Sequence, residues 1–240
     1  MYARKAGRYQ LNQKTSGGYG SVSKMHIKCL PKHGQKVLSS LKGIIHKNHF
    51  ILAGGTALAL QLGHRLSIDL DFFTQTEFST ESILQEMQKL KINPQVLQEE
   101  RGSLTALIEG VKVSMFYYPS AFIDKIVNTK SVPIAGILDI ASMKIIAISQ
   151  RGAKRDFIDL YFILQDIPFW KIAQNMIERY GANRINPVLI GKSLVYFRDA
   201  ENDPEPQYRR KEKPRWEAIK KFFIKNIQQI VIDLQKAREE

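Results

Sequence analysis

Apolar positions recur at helical spacing in some parts of the chain and alternate in others, and the change of period divides it. Val37, Leu38, Leu41, Ile44 and Ile45 fall on one face of an expected helix over 35–47. The apolar run 50–53 predicts a short buried strand, ended by Gly54 and Gly55, and the Ala- and Leu-rich stretch 56–62 predicts a helix. Residues 66–73 alternate and predict a second strand. A helix over 80–90 follows, with Ser79 or Thr80 as its cap. Beyond Pro94, the segments 96–97, 104–108 and 111–118 predict strands, with Glu109-Gly110 as a hairpin turn. Pro119 and Pro133 bracket a connection, and from Ile137 the period becomes helical, at 139–150, 155–165 and 170–180. After 187–199 and a polar, basic linker at 202–214, Ile219, Phe222, Phe223, Ile227, Ile230 and Leu234 mark a last amphipathic helix over 216–236. Strands first and helices second predict an α+β fold: a mixed β-sheet domain at 25–135, a helical C-terminal domain at 136–240, and a cleft between them.

Charge changes this picture more than size does. The 240 residues carry a formal net charge of +13, which favours polyanionic partners, nucleic acid before acidic membrane surface. Residues 1–24 hold Arg4, Lys5, Arg8, Lys14 and Lys24, no acid and no apolar period. They are expected to form a disordered basic arm, with Met25 as the true start of the protein. Cys29 is the only cysteine, which excludes an internal disulfide and fits a reducing, cytoplasmic setting. No apolar run reaches the roughly 20 residues that span a bilayer, so no membrane partner is expected.

The stretch from Ile51 to Thr74 concentrates the chemistry. Asp69 and Asp71 are separated by one residue, so on a strand they point the same way. They sit in the apolar run Ile68-Asp69-Leu70-Asp71-Phe72-Phe73. Two like charges held there are costly unless a cation neutralises them, which makes them candidate Mg²⁺ ligands. Gly54, Gly55 and Thr56 open the preceding helix, where backbone N–H groups can approach a nucleotide triphosphate. A glycine turn alone usually only ends a strand, and an Asp-x-Asp alone is often a solvated face; the combination carries the reading.

The stretch GGTALAL…HRLSIDLDFF resembles the nucleotidyltransferase superfamily of the DNA polymerase β type, and more closely the AbiEii/AbiGii toxin family, which includes the MenT toxins. The likeness continues in GVKVSMFYYP, DIASMKIIAISQRGAKRDFIDLYFIL, LVYFRDAENDPEPQ and PRWEAIKKFF. It implies a nucleotidyltransferase-type core that moves a nucleotide from an NTP to an acceptor, RNA and in particular the 3′ end of tRNA in some members, with a cognate antitoxin as partner. By position it implies that Asp69 and Asp71 hold the metal, that Gly54, Gly55 and Thr56 form the nucleotide turn, and that Lys144 and Asp159 are the later motif residues. Lys144 would contact the triphosphate. Asp159 would position Lys144 or help to activate the attacking hydroxyl. Arg65 and Arg151 are further candidate phosphate contacts.

Helix geometry bears on the second group separately. At about 100° per residue, Lys144, Arg151, Arg155 and Asp159 lie within roughly 80° of one another, and Asp156 falls outside. An unbroken helix therefore favours Asp159 over Asp156 as the inward carboxylate; Gly152 is where the helix could break. Ser114 stands where the superfamily often has a third carboxylate, which leaves Asp159, Glu109, a water or nothing to activate the acceptor. His26, His33, His46 and His49 show no zinc spacing with a cysteine, and His64 reads as a helix-end residue. Arg209, Arg210, Lys211, Lys213 and Arg215 form either a solvated loop or an RNA contact, and Tyr208 and Trp216 either pack or stack on bases. The expectation is an Mg²⁺-dependent nucleotidyltransferase toxin acting on RNA. Transfer of a nucleotide or phosphoryl group to protein, and an inactive nucleic-acid-binding module, are the alternatives.

Overall fold

The computed structural model describes residues 25–211 and 213–240; the basic arm expected at 1–24 lies outside them. Helices α1 (Lys32–Ser40) and α2 (Lys42–Lys47) lead into strand β1 (Ile51–Ala53). Helix α3 (Gly54–Leu62) follows with no intervening loop and stops at Gly63, which takes φ +68° as a left-handed cap. Strand β2 (Leu70–Thr74) precedes helix α4 (Thr80–Lys89), whose cap Ser79 accepts a hydrogen bond from the Ser82 amide at 3.2 Å. Strands β3 (Gln95–Glu100), β4 (Ser103–Ile108) and β5 (Val111–Tyr117) form a meander. The β4–β5 turn is Glu109-Gly110, both with positive φ, as a tight hairpin requires. Two-residue strands β6 (Val127–Asn128) and β7 (Pro133–Ile134) complete a seven-stranded mixed sheet ordered β3-β4-β5-β2-β1-β7-β6.

Helices α5 (Ile137–Arg151), α6 (Lys154–Leu164), α7 (Phe169–Tyr180), α8 (Pro187–Leu194) and α9 (Trp216–Glu239) follow. Helix α5 packs on α3, α6, α7 and α8, so it is the seam between sheet and helices. The buried residues of both halves belong to one hydrophobic cluster. Helix α6 has two unlike sides. Phe157 sits among the rings of Phe197, Trp216 and Phe223, at centroid distances of 5.3, 5.8 and 5.6 Å, while Asp156 and Asp159 face α5 and β1–β2 connections through ion pairs. The aromatic side locks α6 against α9, which holds the acidic side in place.

Three expectations change. The helix over 35–47 is divided at Leu41 into α1 and α2. The strand expected from 66 starts only at Leu70, because the backbone before it bonds elsewhere: the Leu66 amide donates to the Gln207 carbonyl and the Ser67 amide to the Cys29 carbonyl. The connection between Pro119 and Pro133 hides β6 and β7, too short to show a period. The separate helices expected at 139–150 and 155–165 are α5 and α6, divided at Gly152 with φ +59°, so the unbroken helix on which the preference for Asp159 depended does not form.

Gly152→Ala would place a Cβ at that left-handed φ, 3.3 Å from the Asp199 Cβ. The expected cost is about 1–2 kcal/mol, seen as a lower urea midpoint. An unchanged midpoint would show that the α5–α6 break tolerates a side chain.

Candidate active site

Strand β2 lies in the middle of the sheet, antiparallel to β1 and parallel to β5. Leu70, Phe72 and Thr74 are buried on one face, which turns Asp71 to the other. In register, Asp71 is flanked by Ala53 and by Ser114. Gly54 has φ +68°, and a Cβ there would lie 2.9 Å from Asp71 Oδ2. Only glycine lets the turn come this near to the carboxylate. No side chain caps α3, so the first amides of the helix are available to an anion beside Asp71. Thr56 Oγ1 lies 2.8 Å from Ser67 Oγ and donates to the Asp69 carbonyl. Its hydroxyl thus ties the turn to the entry of β2, and its contribution to a phosphate is the backbone amide. Asp69 itself precedes the strand and keeps 44% of its side chain exposed.

A second group faces these residues from the helices. Lys144 Nζ lies 2.7 Å from both Asp156 Oδ1 and Asp159 Oδ2, with 7% of its side chain exposed and both carboxylates fully buried. The break at Gly152 resets the helical phase, so Asp156 turns inward alongside Asp159; the preference for Asp159 alone, reasoned from an unbroken helix, is corrected. Asp156 Oδ2 also accepts from Arg151 Nε and Nη2, at 3.0 and 2.9 Å. Asp159 accepts from Arg65 Nε at 2.7 Å, from Arg65 Nη2 at 2.8 Å and from His64 Nε2 at 2.8 Å. A Cβ on Gly55 would meet Arg65 Nη2 at 2.5 Å, so the same guanidinium lies against the nucleotide turn. Arg155 Nη1 reaches to 4.0 Å from Asp69 Oδ2. The two groups therefore form one continuous site.

Electrostatics separate the carboxylates. Burial raises the pKa of Asp71, and the neighbouring Asp69 charge raises it further. Burial also pushes Asp159 upward, but Arg65, Lys144 and the hydrogen bonds from Arg65 and His64 outweigh it and hold the carboxyl well below its ordinary range. Burial lowers His64 against the opposing pull of Asp159. A neutral ring with its proton on Nε2 fits these contacts, and Nδ1 is buried without a hydrogen-bond partner among the described residues.

Other sequence-singled residues take clear places. Arg65 has 5% exposure and spends its guanidinium on Asp159 and the Leu66 carbonyl, which makes it a brace rather than an open phosphate contact. Glu109 pairs with Lys36 at the exposed hairpin turn, about 16 Å along β5 from the position beside Asp71. Ser114 is 2% exposed, near Thr105 Oγ1 at 3.4 Å. Burial raises the Cys29 thiol, in keeping with an inert residue. The basic linker is partly a strap: the Arg209 amide donates to the His64 carbonyl, and Arg210 Nε and Nη2 donate to the Leu62 carbonyl. Trp216 is packed on Phe157 and Phe197 and donates to Glu201. Sequence reasoning gave no role to Ser67, and placed Lys154 only in the motif block with Arg151, Arg155 and Asp156. Lys154 is 5% exposed and donates to the Glu201 and Asp203 carbonyls. A lysine at the first position of a helix gives no such signal.

Among the described residues no group of three His, Cys, Asp or Glu side chains gathers around one point, and no helix is long and apolar enough to cross a membrane.

The family described as "Nucleotidyl transferase AbiEii toxin, Type IV TA system" matches residues 36–130 and 95–233. An uncharacterized protein of Aquifex aeolicus (strain VF5) is 37% identical over 205 residues, covering 83% of this chain and 97% of that one. The fold is similar to that of MenT4, a nucleotidyltransferase toxin of Mycobacterium tuberculosis H37Rv, with a TM-score of 0.56 at 16% identity, covering 86% of each chain. It is also similar to JHP933 of Helicobacter pylori, with a TM-score of 0.53 at 18% identity, covering 86% of this chain and 95% of that one.

The buried His64 gives a pH test. Its pKa is lower folded than unfolded, so the unfolded chain binds the extra proton as pH falls through about 6.5. The stability associated with this group is present above that value and is lost below it. His64→Gln is expected to flatten the fall in unfolding free energy between about pH 7.5 and 5.5, by at most about 1.4 kcal/mol per pH unit. Equal slopes in urea titrations of the two proteins would contradict a buried neutral His64.

Proposed function

The chain belongs to the AbiEii nucleotidyltransferase toxin family, and from that premise we propose an Mg²⁺-dependent toxin that transfers a nucleotide from an NTP to RNA, with the 3′ end of tRNA as acceptor. The observation that carries it is the meeting of Gly54 and Asp71, where an uncapped helix start and a metal-type carboxylate share one point. A phosphate there finds amide donors on one side, and the charge of Lys144, braced by Asp156 and Asp159, acts on the same neighbourhood as it does on Asp71.

The donor set fits magnesium. Mg²⁺ is commonly held by one or two carboxylates together with substrate phosphates and waters, and Asp71, raised by burial and by Asp69, is a pair member that a cation would relieve. When bound by Asp69 and Asp71, the ion supplies charge neutralisation at the phosphates. Every other contribution comes from the chain. The α3 amides and Gly54-Gly55 orient the triphosphate, and Lys144 places a fixed positive charge beside it. Asp156 and Asp159 position that lysine. Asp159 is a positioning residue and not a base, because two cations and a histidine N–H hold it ionised. The acceptor hydroxyl oxygen bonds to the α-phosphorus as the bond to pyrophosphate breaks; pyrophosphate leaves, and the hydroxyl proton passes to water. A cognate antitoxin is expected from the type IV toxin–antitoxin description of the family.

The test is incubation with each labelled NTP, Mg²⁺ and a total tRNA pool. Label on RNA is expected with wild type, and a loss of at least about 100-fold with Asp71→Asn. The same variant removes the desolvated charge of Asp71 and its repulsion with Asp69, so without metal it should unfold at a higher urea concentration than wild type, while losing the wild-type gain on adding Mg²⁺. Label on protein instead of RNA would move the acceptor to protein, and no transfer with any NTP would overturn the proposal.

A further inference from the structure

A cavity lies where the end of α5 meets the end of α8. It encloses ≈ 310 Å³ and is lined by Ser149, Gln150, Arg151, Lys192, Tyr196 and Asp199, among others. That volume is at the lower end of what binding pockets offer. It is linked to the candidate active site through one carboxylate: Asp156 Oδ1 accepts from Lys144, and Asp156 Oδ2 accepts from Arg151. Lys144 and Arg151 are seven residues apart on one continuous helix, so they share a face about 10.5 Å apart along the axis.

We infer that this cavity receives a nucleotide of the acceptor RNA strand upstream of its reacting end, with the phosphodiester between Arg151 and Lys192 and the base on the ring of Tyr196. The inference rests on the RNA-transferase reading above. Arg151 has its Nε and Nη2 anchored on Asp156, which orients the guanidinium and leaves Nη1 uncommitted among the described residues; 55% of the side chain is exposed. Lys192 is exposed, and the Tyr196 side chain is too, at 50%. An exposed ring in a cavity lined by two cations suits single-stranded nucleic acid, whose bases stack irrespective of sequence and whose backbone offers one charge at a time. A free nucleoside triphosphate suits the cavity less well. The walls come from the C-terminal ends of two helices, whose carbonyls disfavour concentrated negative charge, and Asp199 adds another negative group. The glycine turn and the helix start, which favour a triphosphate, are both at the Asp71 side of the molecule.

Tyr196→Ala and Lys192→Ala test this, because both side chains are exposed and their loss spares the core. In transfer assays each should raise the KM for acceptor RNA by about tenfold, leave the KM for NTP unchanged, and Tyr196→Phe should restore the wild-type value. In fluorescence anisotropy with a short labelled single-stranded RNA, Lys192→Ala should also lessen the salt dependence of binding by about one in log–log slope. If RNA is labelled and both alanine variants keep the wild-type acceptor KM, the cavity is not an acceptor subsite while the transferase reading stands. If no RNA is labelled, that reading fails, and anisotropy still decides: a wild-type protein that binds no RNA, or variants that bind as wild type does, overturns the inference.

Discussion

The fully buried carboxylate of Asp159 is the constraint around which the rest is arranged. It is held at once by His64 and Arg65, which come just after α3, and by Lys144 of α5. A carboxylate removed from water is costly, and removing one member of such a group typically costs about 3–5 kcal/mol. The three partners therefore have to arrive together. Their meeting fixes α3 against α5 and α6, which in turn aligns the glycine turn with Lys144. In this protein the charged network settles geometry first. Any contribution to chemistry comes through the lysine it orients.

Much of this was legible in the order of residues. The alternation that turns Asp71 away from Leu70 and Phe72, the glycines at the strand–helix junction, and the hairpin at Glu109-Gly110 all follow from local rules, and the structure has them. What local rules could not supply was long-range pairing. Residues 66–69 look like strand, yet the Leu66 and Ser67 amides bond to Gln207 and Cys29, partners that no window of sequence contains. Asp156 was misplaced for a different reason: one left-handed residue, Gly152, changes the helical phase, and angular arithmetic across such a break loses its meaning. Strands of two residues, β6 and β7, fall below the length at which any period exists.

The same pattern explains which charged residues could be given roles from sequence. Asp69 and Asp71 advertise themselves because carboxylates in an apolar run demand a cause. Arg65 does not reveal that its cause is internal. Its guanidinium, an obvious phosphate contact in isolation, is occupied by Asp159 and the Leu66 carbonyl. Likewise Lys154 and the basic linker owe part of their charge to backbone carbonyls within the chain. A net charge of +13 therefore overstates what is open to a polyanion. The exposed cations at the end of α5 and on α8 are those on which the proposed acceptor strand would lie.

The strap around residues 207–210 carries a temporal consequence. It hydrogen-bonds to residues 62–66, and those same residues brace Asp159. Contacts so distant along the chain form late. As the polypeptide leaves the ribosome, the glycine turn, Asp69 and Asp71 emerge early, but the brace has to wait for Asp159 itself, and the strap that holds residues 62–66 follows later still. A nascent chain would thus remain unassembled at its centre through most of its own synthesis.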